Sequence, residues 1–121
     1  MSNQPEMKLQ QECYLHFHNN YPDLRGCLWR VENERKRNKY EQMIAKSTGL
    51  VSGVADLNMI YAGRFYGIEL KVGDNKQSKS QIQWQKTIQK QGGSYIVIRN
   101  LEEFQAFLHR ILSTYSKTPT K

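Results

Sequence analysis

Asp56, Glu69 and Lys71 are three charged residues inside a largely apolar, alternating stretch, GVADLNMIYAGRFYGIELKV, which spans residues 53–72 and carries Arg64 near its centre. Two carboxylates that face each other across paired strands repel, so they destabilise a sheet unless something binds between them. A hard divalent cation such as Mg²⁺ suits that place, because it takes oxygen ligands and needs only one or two carboxylates plus a phosphate. A structural alternative stays open, in which Lys71 neutralises Glu69 and Asp56 caps a turn after Gly53.

The period-two pattern of this stretch predicts that the three charges meet on one face of a β-hairpin. If the turn is centred on Ala62-Gly63, the residue numbers of cross-strand partners sum to 125, which places Asp56 opposite Glu69. Directly opposed residues share a sheet face, with Cβ atoms about 4.5–5.5 Å apart. Lys71 lies two residues beyond Glu69 and so points to that same face. Ala-Gly is not a favoured two-residue turn, and a slip of one residue would move one carboxylate to the opposite face.

The elements around the hairpin alternate between helical and strand patterns along the chain. Helix ends are marked by Gly49, by Ser78 as an N-cap, and by Asn100 and Glu103 at capping-box spacing. The order αβαββαβα predicts a single α/β domain of three layers around a mixed sheet of about four strands. The predicted elements are helix 5–20, strand 27–32, helix 34–49, hairpin strands at about 56–61 and 64–72, helix 78–93, strand 94–99 and helix 100–115, with flexible ends at 1–5 and 116–121.

Composition limits the classes of partner and compartment. With 121 residues, the chain is long enough for one compact domain and too short for two. Its 18 Lys and Arg residues exceed its 11 Asp and Glu residues, giving a formal net charge of +7. This excess favours polyanionic partners, nucleic acid first and an acidic membrane surface second, although many small soluble proteins are basic.

Cys13 and Cys27 fit neither a zinc spacing nor a disulfide framework, and no segment is typical of a membrane span or signal peptide. We therefore expect reduced thiols in a cytoplasmic protein.

The motif GVAD…ELK, with Asp56, Glu69 and Lys71, resembles the PD-(D/E)XK nuclease motif, in which Asp, Glu and Lys flank a β-hairpin. More narrowly, the pattern across residues 12–108 resembles the VRR-NUC (virus-type replication-repair nuclease) domain of that superfamily. Ala55 departs from the proline usual in that family, at a position that shapes the turn and carries no chemistry. The resemblance implies a restriction-endonuclease-like fold, which agrees with the predicted order of elements. The residues with counterparts in the family are Gly49, Gly53, Asp56, Glu69, Lys71, Ser78, Gln81 and Trp84.

The resemblance also implies a reaction, namely hydrolysis of DNA phosphodiester bonds by a Mg²⁺- or Mn²⁺-dependent endonuclease. The catalytic residues would be Asp56, Glu69 and Lys71. The metal ligands would be the two carboxylates and the backbone carbonyl of Leu70. Such an ion stabilises charge on the scissile phosphate and lowers the pKa of a bound water molecule. Lys71 would position that water or hold a phosphate oxygen.

The resemblance implies supporting roles for two further residues. Glu12, on the first predicted helix, matches an acidic residue that can complete the metal shell, and its alternative is a solvated charge on the helix surface. Gln81 would support Lys71 or contact the metal-bound water. Ser78 and Gln81 also have capping-box spacing, so Gln81 has a structural role that is compatible with the functional one.

Basic and polar residues offer phosphate contacts that carry no sequence preference, although a solvated charged surface is the alternative reading of most of them. The resemblance implies a standalone protein of viral or phage type that acts on branched DNA, such as a Holliday junction, as a homodimer in the cytoplasm (that of the host, for a virus). Two rival functions stay open, a non-catalytic nucleic-acid-binding module and a basic interaction subunit of replication or repair proteins. The expected nucleic-acid contacts are Arg30, Asn33, Arg35, Lys36, Arg37, Lys76, Ser78 and Lys79.

Overall fold

The computed structural model describes residues 4–32 and 36–113. The order of helices and strands is the predicted αβαββαβα. Of the ends expected to be flexible, residues 1–3 and 116–121 lie outside the described residues, whereas residues 4 and 5 begin the first helix. The elements are α1 (Gln4–Asn20), a 3₁₀ turn (Pro22–Leu24), β1 (Leu28–Arg30), α2 (Lys39–Ser47), β2 (Leu57–Tyr61), β3 (Arg64–Leu70), α3 (Lys79–Lys90), β4 (Ser94–Ile98) and α4 (Leu101–Ile111).

The four strands form one mixed sheet in the order β1-β2-β3-β4. β1 with β2 and β2 with β3 are antiparallel pairs, whereas β4 runs parallel to β3. The β2–β3 turn is centred on Ala62 and Gly63, which have positive φ angles of 52° and 80°. Positive φ at both central residues is the type I′ geometry that suits a two-residue hairpin. Tyr61 pairs with Arg64, and the ladder continues in the predicted register.

Alternation along β3 divides the domain into three layers. Ile68 and Leu70 are buried in the core on the side of α1 and α4, and Tyr66 contacts Phe107 of α4 edge to face. Phe65 faces the opposite side and contacts Trp84 of α3. The sheet is therefore covered by helices on both faces, and the predicted three-layer arrangement is confirmed.

Local capping explains where the predicted helix ends are correct and where they are not. Ser78 and Gln81 form the predicted capping box of α3. In α4 the side chain of Asn100 accepts from the N–H of Glu103, but the Glu103 carboxylate accepts from the N–H of Arg99 instead of completing the box. The predicted start of the second helix at residue 34 is wrong within the described residues: residues 36–38 are not helical, because Asn38 is the N-cap of a capping box and the helix begins at Lys39.

Candidate active site

Asp56 and Glu69 lie next to each other, Asp56 directly before β2 and Glu69 near the end of β3. Glu69 is 1% exposed, and its carboxyl group is within hydrogen-bonding contact of that of Asp56. Asp56 is half-buried, and its Oδ2 accepts from the backbone N–H of Leu70 at 2.8 Å. Asp56 thus binds the backbone of the opposite strand, and the two carboxyl groups share one place on the sheet as the register predicts.

Three side chains surround the Glu69 carboxylate. Gln81 Nε2 donates to Oε2 at 2.8 Å, and the Tyr95 hydroxyl donates to Oε1 at 3.4 Å. Lys71 Nζ lies 3.9 Å from Oε2, and the lysine side chain is only 11% exposed. Lys71 therefore joins the two carboxylates in one cluster, and its contact with Glu69 is at the long limit of an ion pair.

Gln81 links the carboxylate to the start of α3. Its Oε1 accepts from the N–H of Ser78 at 2.8 Å, while its own N–H donates to Ser78 Oγ at 3.2 Å. The same side chain donates through Nε2 to Glu69. The capping role and the contact with the site are therefore both present.

The loop that presents Asp56 depends on close backbone packing. Gly53 has φ +82°, and a Cβ atom at this position would lie 2.2 Å from the carbonyl oxygen of Ser80. Only glycine lets the loop lie against the first turn of α3 in this way. Asn58, which is 2% exposed, donates from Nδ2 to the carbonyl of Ala55 at 3.2 Å and so holds the same loop from β2.

Sequence reasoning missed Tyr95, which lies in β4. The parallel register pairs Tyr95 with Gly67 of β3, and a Cβ atom on Gly67 would lie 2.9 Å from the Trp84 ring and 3.3 Å from that of Tyr95. Gln77 Nε2 donates to the Tyr95 hydroxyl at 3.1 Å and completes its surroundings. The sequence signal was the tyrosine hydroxyl in the largely apolar segment SYIVIR, but the position of Tyr95 over Glu69 depends on parallel pairing, which local pattern does not show.

Burial controls the electrostatics of the pair. It raises the pKa of Glu69 to about 8, with the neighbouring charge of Asp56 as the next cause. Burial also raises the pKa of Asp56, against the hydrogen bond from the backbone of Leu70. The positive charge of Lys71 acts in the opposite direction on both groups without reversing either shift. The metal-free pair consequently retains a proton at neutral pH.

The donor set fits a hard divalent cation. The two carboxyl groups supply oxygen ligands, and Lys71 alone does not neutralise both of their charges. A cation that replaces the proton between them would therefore be bound favourably. Leu70 adds a third oxygen: its N–H points towards Asp56, and the N–H and C=O of one strand residue point to the same side. Within residues 4–32 and 36–113, no three His, Cys, Asp or Glu side chains are grouped so that they could hold a metal ion.

On α1, Glu6, and not Glu12, lies in the lining of the same cavity as Asp56. The charge of Glu6 acts on the pKa of both Asp56 and Glu69, and Asn75 Nδ2 donates to its Oε2 at 3.1 Å. Glu12 is exposed and lines a separate cavity with residues of α4. Six residues correspond to about 240° around a helix, so the two glutamates cannot face the same neighbour.

The expected nucleic-acid contacts lie in three places. Arg30 is on β1 and pairs with Glu32 at 2.6 Å. Lys36 is exposed and Arg37 half-buried in the segment before α2. Asn33 and Arg35 lie outside the described residues. Ser78, the N-cap of α3, and Lys79, its first residue, are exposed within three residues of Gln81, and Lys76 is exposed in the segment before them.

Comparison with solved structures gives a match to a protein described as "VRR_NUC domain protein", with a TM-score of 0.71 and 16% sequence identity. The match covers 89% of this chain and 88% of that one. This chain has the fold of a VRR_NUC domain. The predicted fold and the resemblance on which it partly rests are thereby confirmed at the level of structure. No protein-family model and no curated protein matches the sequence. Among the described helices, none is both long and apolar enough to cross a membrane.

Proposed function

We propose that this protein is a divalent-metal-dependent endonuclease that hydrolyses DNA phosphodiester bonds at Asp56, Glu69 and Lys71. The observation that carries the proposal is the contact between a buried and a half-buried carboxyl group, both of raised pKa, with a lysine beside them, on a VRR_NUC fold. Perturbed carboxyl pairs of this kind are concentrated at functional sites.

Asp56, Glu69 and the carbonyl of Leu70 would hold Mg²⁺ or Mn²⁺. When bound, the ion supplies charge stabilisation at the scissile phosphate and lowers the pKa of a water molecule that it binds. Two carboxylates leave room for phosphate and water oxygens, which is the usual ligand set of Mg²⁺ in phosphoryl chemistry.

The residues around the pair would orient the reactants. Gln81 and Tyr95 each donate to one oxygen of Glu69 and fix the plane of its carboxylate. Lys71, half-buried within the cluster, holds a phosphate oxygen or the attacking water. The water oxygen forms a new bond to phosphorus, one phosphodiester P–O bond breaks, and the leaving oxygen takes up a proton, so the product is a nicked strand.

The substrate proposed is branched DNA, such as a four-way junction, cut by a homodimer. The support is the sequence resemblance, the net charge of +7 and the exposed basic and polar side chains of Lys36, Lys76, Ser78 and Lys79. A two-fold dimer suits a substrate that needs two symmetric cuts. Contacts of these side chains with phosphates would position the DNA backbone without reading the base sequence.

The test is incubation of the full chain with a synthetic four-way junction, a linear duplex and a single strand, in Mg²⁺, Mn²⁺ or EDTA. We expect junction cutting that requires the metal and is lost in Asp56→Asn and reduced about 10²–10³-fold in Lys71→Ala. Glu102→Gln changes an exposed carboxylate on α4 and should cut normally. Circular dichroism would show that each variant is folded.

Cutting in EDTA, or normal cutting by both site variants, would contradict this mechanism. Binding of junctions without cleavage in any divalent metal would instead favour a non-catalytic nucleic-acid-binding module.

A further inference from the structure

A groove of about 810 Å³ extends between α1 and β1 and reaches the candidate active site. Residues 6–14 of α1 provide much of one wall, and residues 28–32, which contain β1, form the other. Asp56 and Leu70 line it where it meets the carboxylate cluster. A ligand in the groove would therefore be continuous with a phosphate held at the cluster.

The β1 wall is the edge of the sheet. Val31 N–H donates to the carbonyl of Asp56, so odd-numbered residues of this segment pair with β2. The N–H and C=O of Arg30 consequently point away from β2, and neither has a backbone partner in the described part of the chain. Unpaired backbone groups at such an edge are available to a ligand.

The charges around the groove disfavour a phosphate chain along its length. Its charged lining residues are three acidic and two basic, and the arginine among them is already paired with Glu32. The α1 wall offers instead the amides of Gln10 and Gln11 and the half-buried ring of Tyr14. Amides both donate and accept hydrogen bonds, as the edges of nucleobases do, and aromatic rings stack on bases.

We infer that this groove binds unpaired nucleobases of the strand that is cut. Its volume lies within the range of pockets that enclose a small ligand, which corresponds to about one or two nucleotides. Bases inside a duplex are stacked and paired, and they must leave the stack before a pocket can take them. The substrate would thus carry a short unpaired segment next to the scissile phosphate. This inference rests on the proposed function, because it takes DNA as the ligand.

The experiment compares binding of two fluorescent DNA hairpins by anisotropy in EDTA, where no metal supports cutting. One hairpin is blunt, and the other carries an unpaired tail of about two nucleotides, prepared separately at the 5′ and 3′ ends. We expect one tailed hairpin to bind about tenfold tighter than the blunt one, as stacking of one or two bases provides. The double variant Gln10→Ala/Gln11→Ala should reduce this preference to about twofold or less. Alanine is a strong helix former, so the two substitutions should leave α1 folded. Gln89→Ala, an exposed glutamine at the far end of α3, should retain it.

Location is tested with a 4-thiothymidine in the tail, photo-crosslinked to the protein and mapped by mass spectrometry. Crosslinks within residues 6–14 or 28–32 would support the groove, and crosslinks confined to other segments would overturn it. Equal binding of blunt and tailed hairpins would overturn it as well and favour a peptide strand at β1. A tail preference that survives the double substitution would overturn it by placing the tail outside the groove.

The outcome is separable from that of the cleavage test. Tail-dependent binding through the groove supports this inference even if no metal produces cutting. Metal-dependent cutting without any tail preference overturns the groove and leaves the nuclease proposal intact.

Discussion

The buried carboxyl of Glu69 should make the stability of the metal-free protein depend steeply on pH. Burial, followed by the charge of Asp56, raises the pKa of Glu69 from 4.5 to about 8 in the folded chain. Between these values the folded state holds a proton that the unfolded state has lost. The stabilising contribution is therefore complete below about pH 4.5 and is lost as the pH rises through about 8.

The size of the effect follows from proton linkage. One proton of difference changes the free energy of unfolding by about 1.4 kcal/mol per pH unit, which gives a loss of about 4 kcal/mol between pH 5 and pH 8. That is a large share of the total of about 5–15 kcal/mol typical of a domain. It corresponds to a fall in Tm of about 10–20 °C.

Urea and thermal unfolding in EDTA at pH 5, 6, 7 and 8 would measure this slope. The free energy of unfolding of Glu69→Gln should depend less on pH than that of the wild type. The variant should also be more stable than the wild type at pH 8, because it keeps a neutral group in the buried position. Glu12→Gln removes an exposed carboxyl on α1 and should keep the wild-type slope.

The same carboxyl connects stability with the metal. A divalent ion needs deprotonated ligands, so Mg²⁺ or Mn²⁺ should stabilise the chain more at pH 8 than at pH 5 and release about one proton at pH 7. Calorimetry in buffers of different ionisation enthalpy counts that proton. A flat stability profile in EDTA, or an equal slope in Glu69→Gln, would refute the reasoning.

Three further substitutions test how the site is supported. Gln81→Ala removes one half of a capping box and a hydrogen bond to the site carboxylate, so it should destabilise the fold by about 1 kcal/mol and weaken Mn²⁺ binding about tenfold in titration calorimetry; unchanged Mn²⁺ affinity would argue against a role at the site. Gly53→Ala should cost at least about 2 kcal/mol in urea unfolding, because its Cβ would meet the Ser80 carbonyl. Gly49→Ala, also at positive φ but with no atom within 4 Å, should cost less, and equal losses would show that the close contact is unimportant. Ala62→Asn should raise stability by about 0.5–1 kcal/mol, because asparagine tolerates the left-handed turn better than alanine; an unchanged or lower midpoint would contradict this.

The parts of the site that the sequence predicted are those determined by local periodicity. The period of two along a strand and a two-residue turn fix the register of the hairpin, and the observed pair Leu57–Ile68 has the residue sum of 125 that the counting predicted. Gln81 was likewise found through its capping-box spacing from Ser78.

The remaining features depend on how elements pack. Tyr95 reaches Glu69 only because β4 lies parallel to β3 in one particular register. Glu6, and not Glu12, shares a cavity with Asp56 because the rotation of α1 about its axis is set by packing against the sheet and α4. The groove between α1 and the edge strand has no sequence signature, because its two walls are separated along the chain.

The position of each strand within the sheet determines how readily that strand opens locally. β3 is hydrogen-bonded on both sides along most of its length, whereas β1 has three residues paired on one side only. Amide exchange by local opening should therefore be fast in β1 and approach the global unfolding limit in β3. Glu69 lies in β3, where amide exchange should be slow, and the outer wall of the groove is β1, where it should be fast. The groove can then widen for a ligand by local opening of β1 while the two carboxylates keep their spacing.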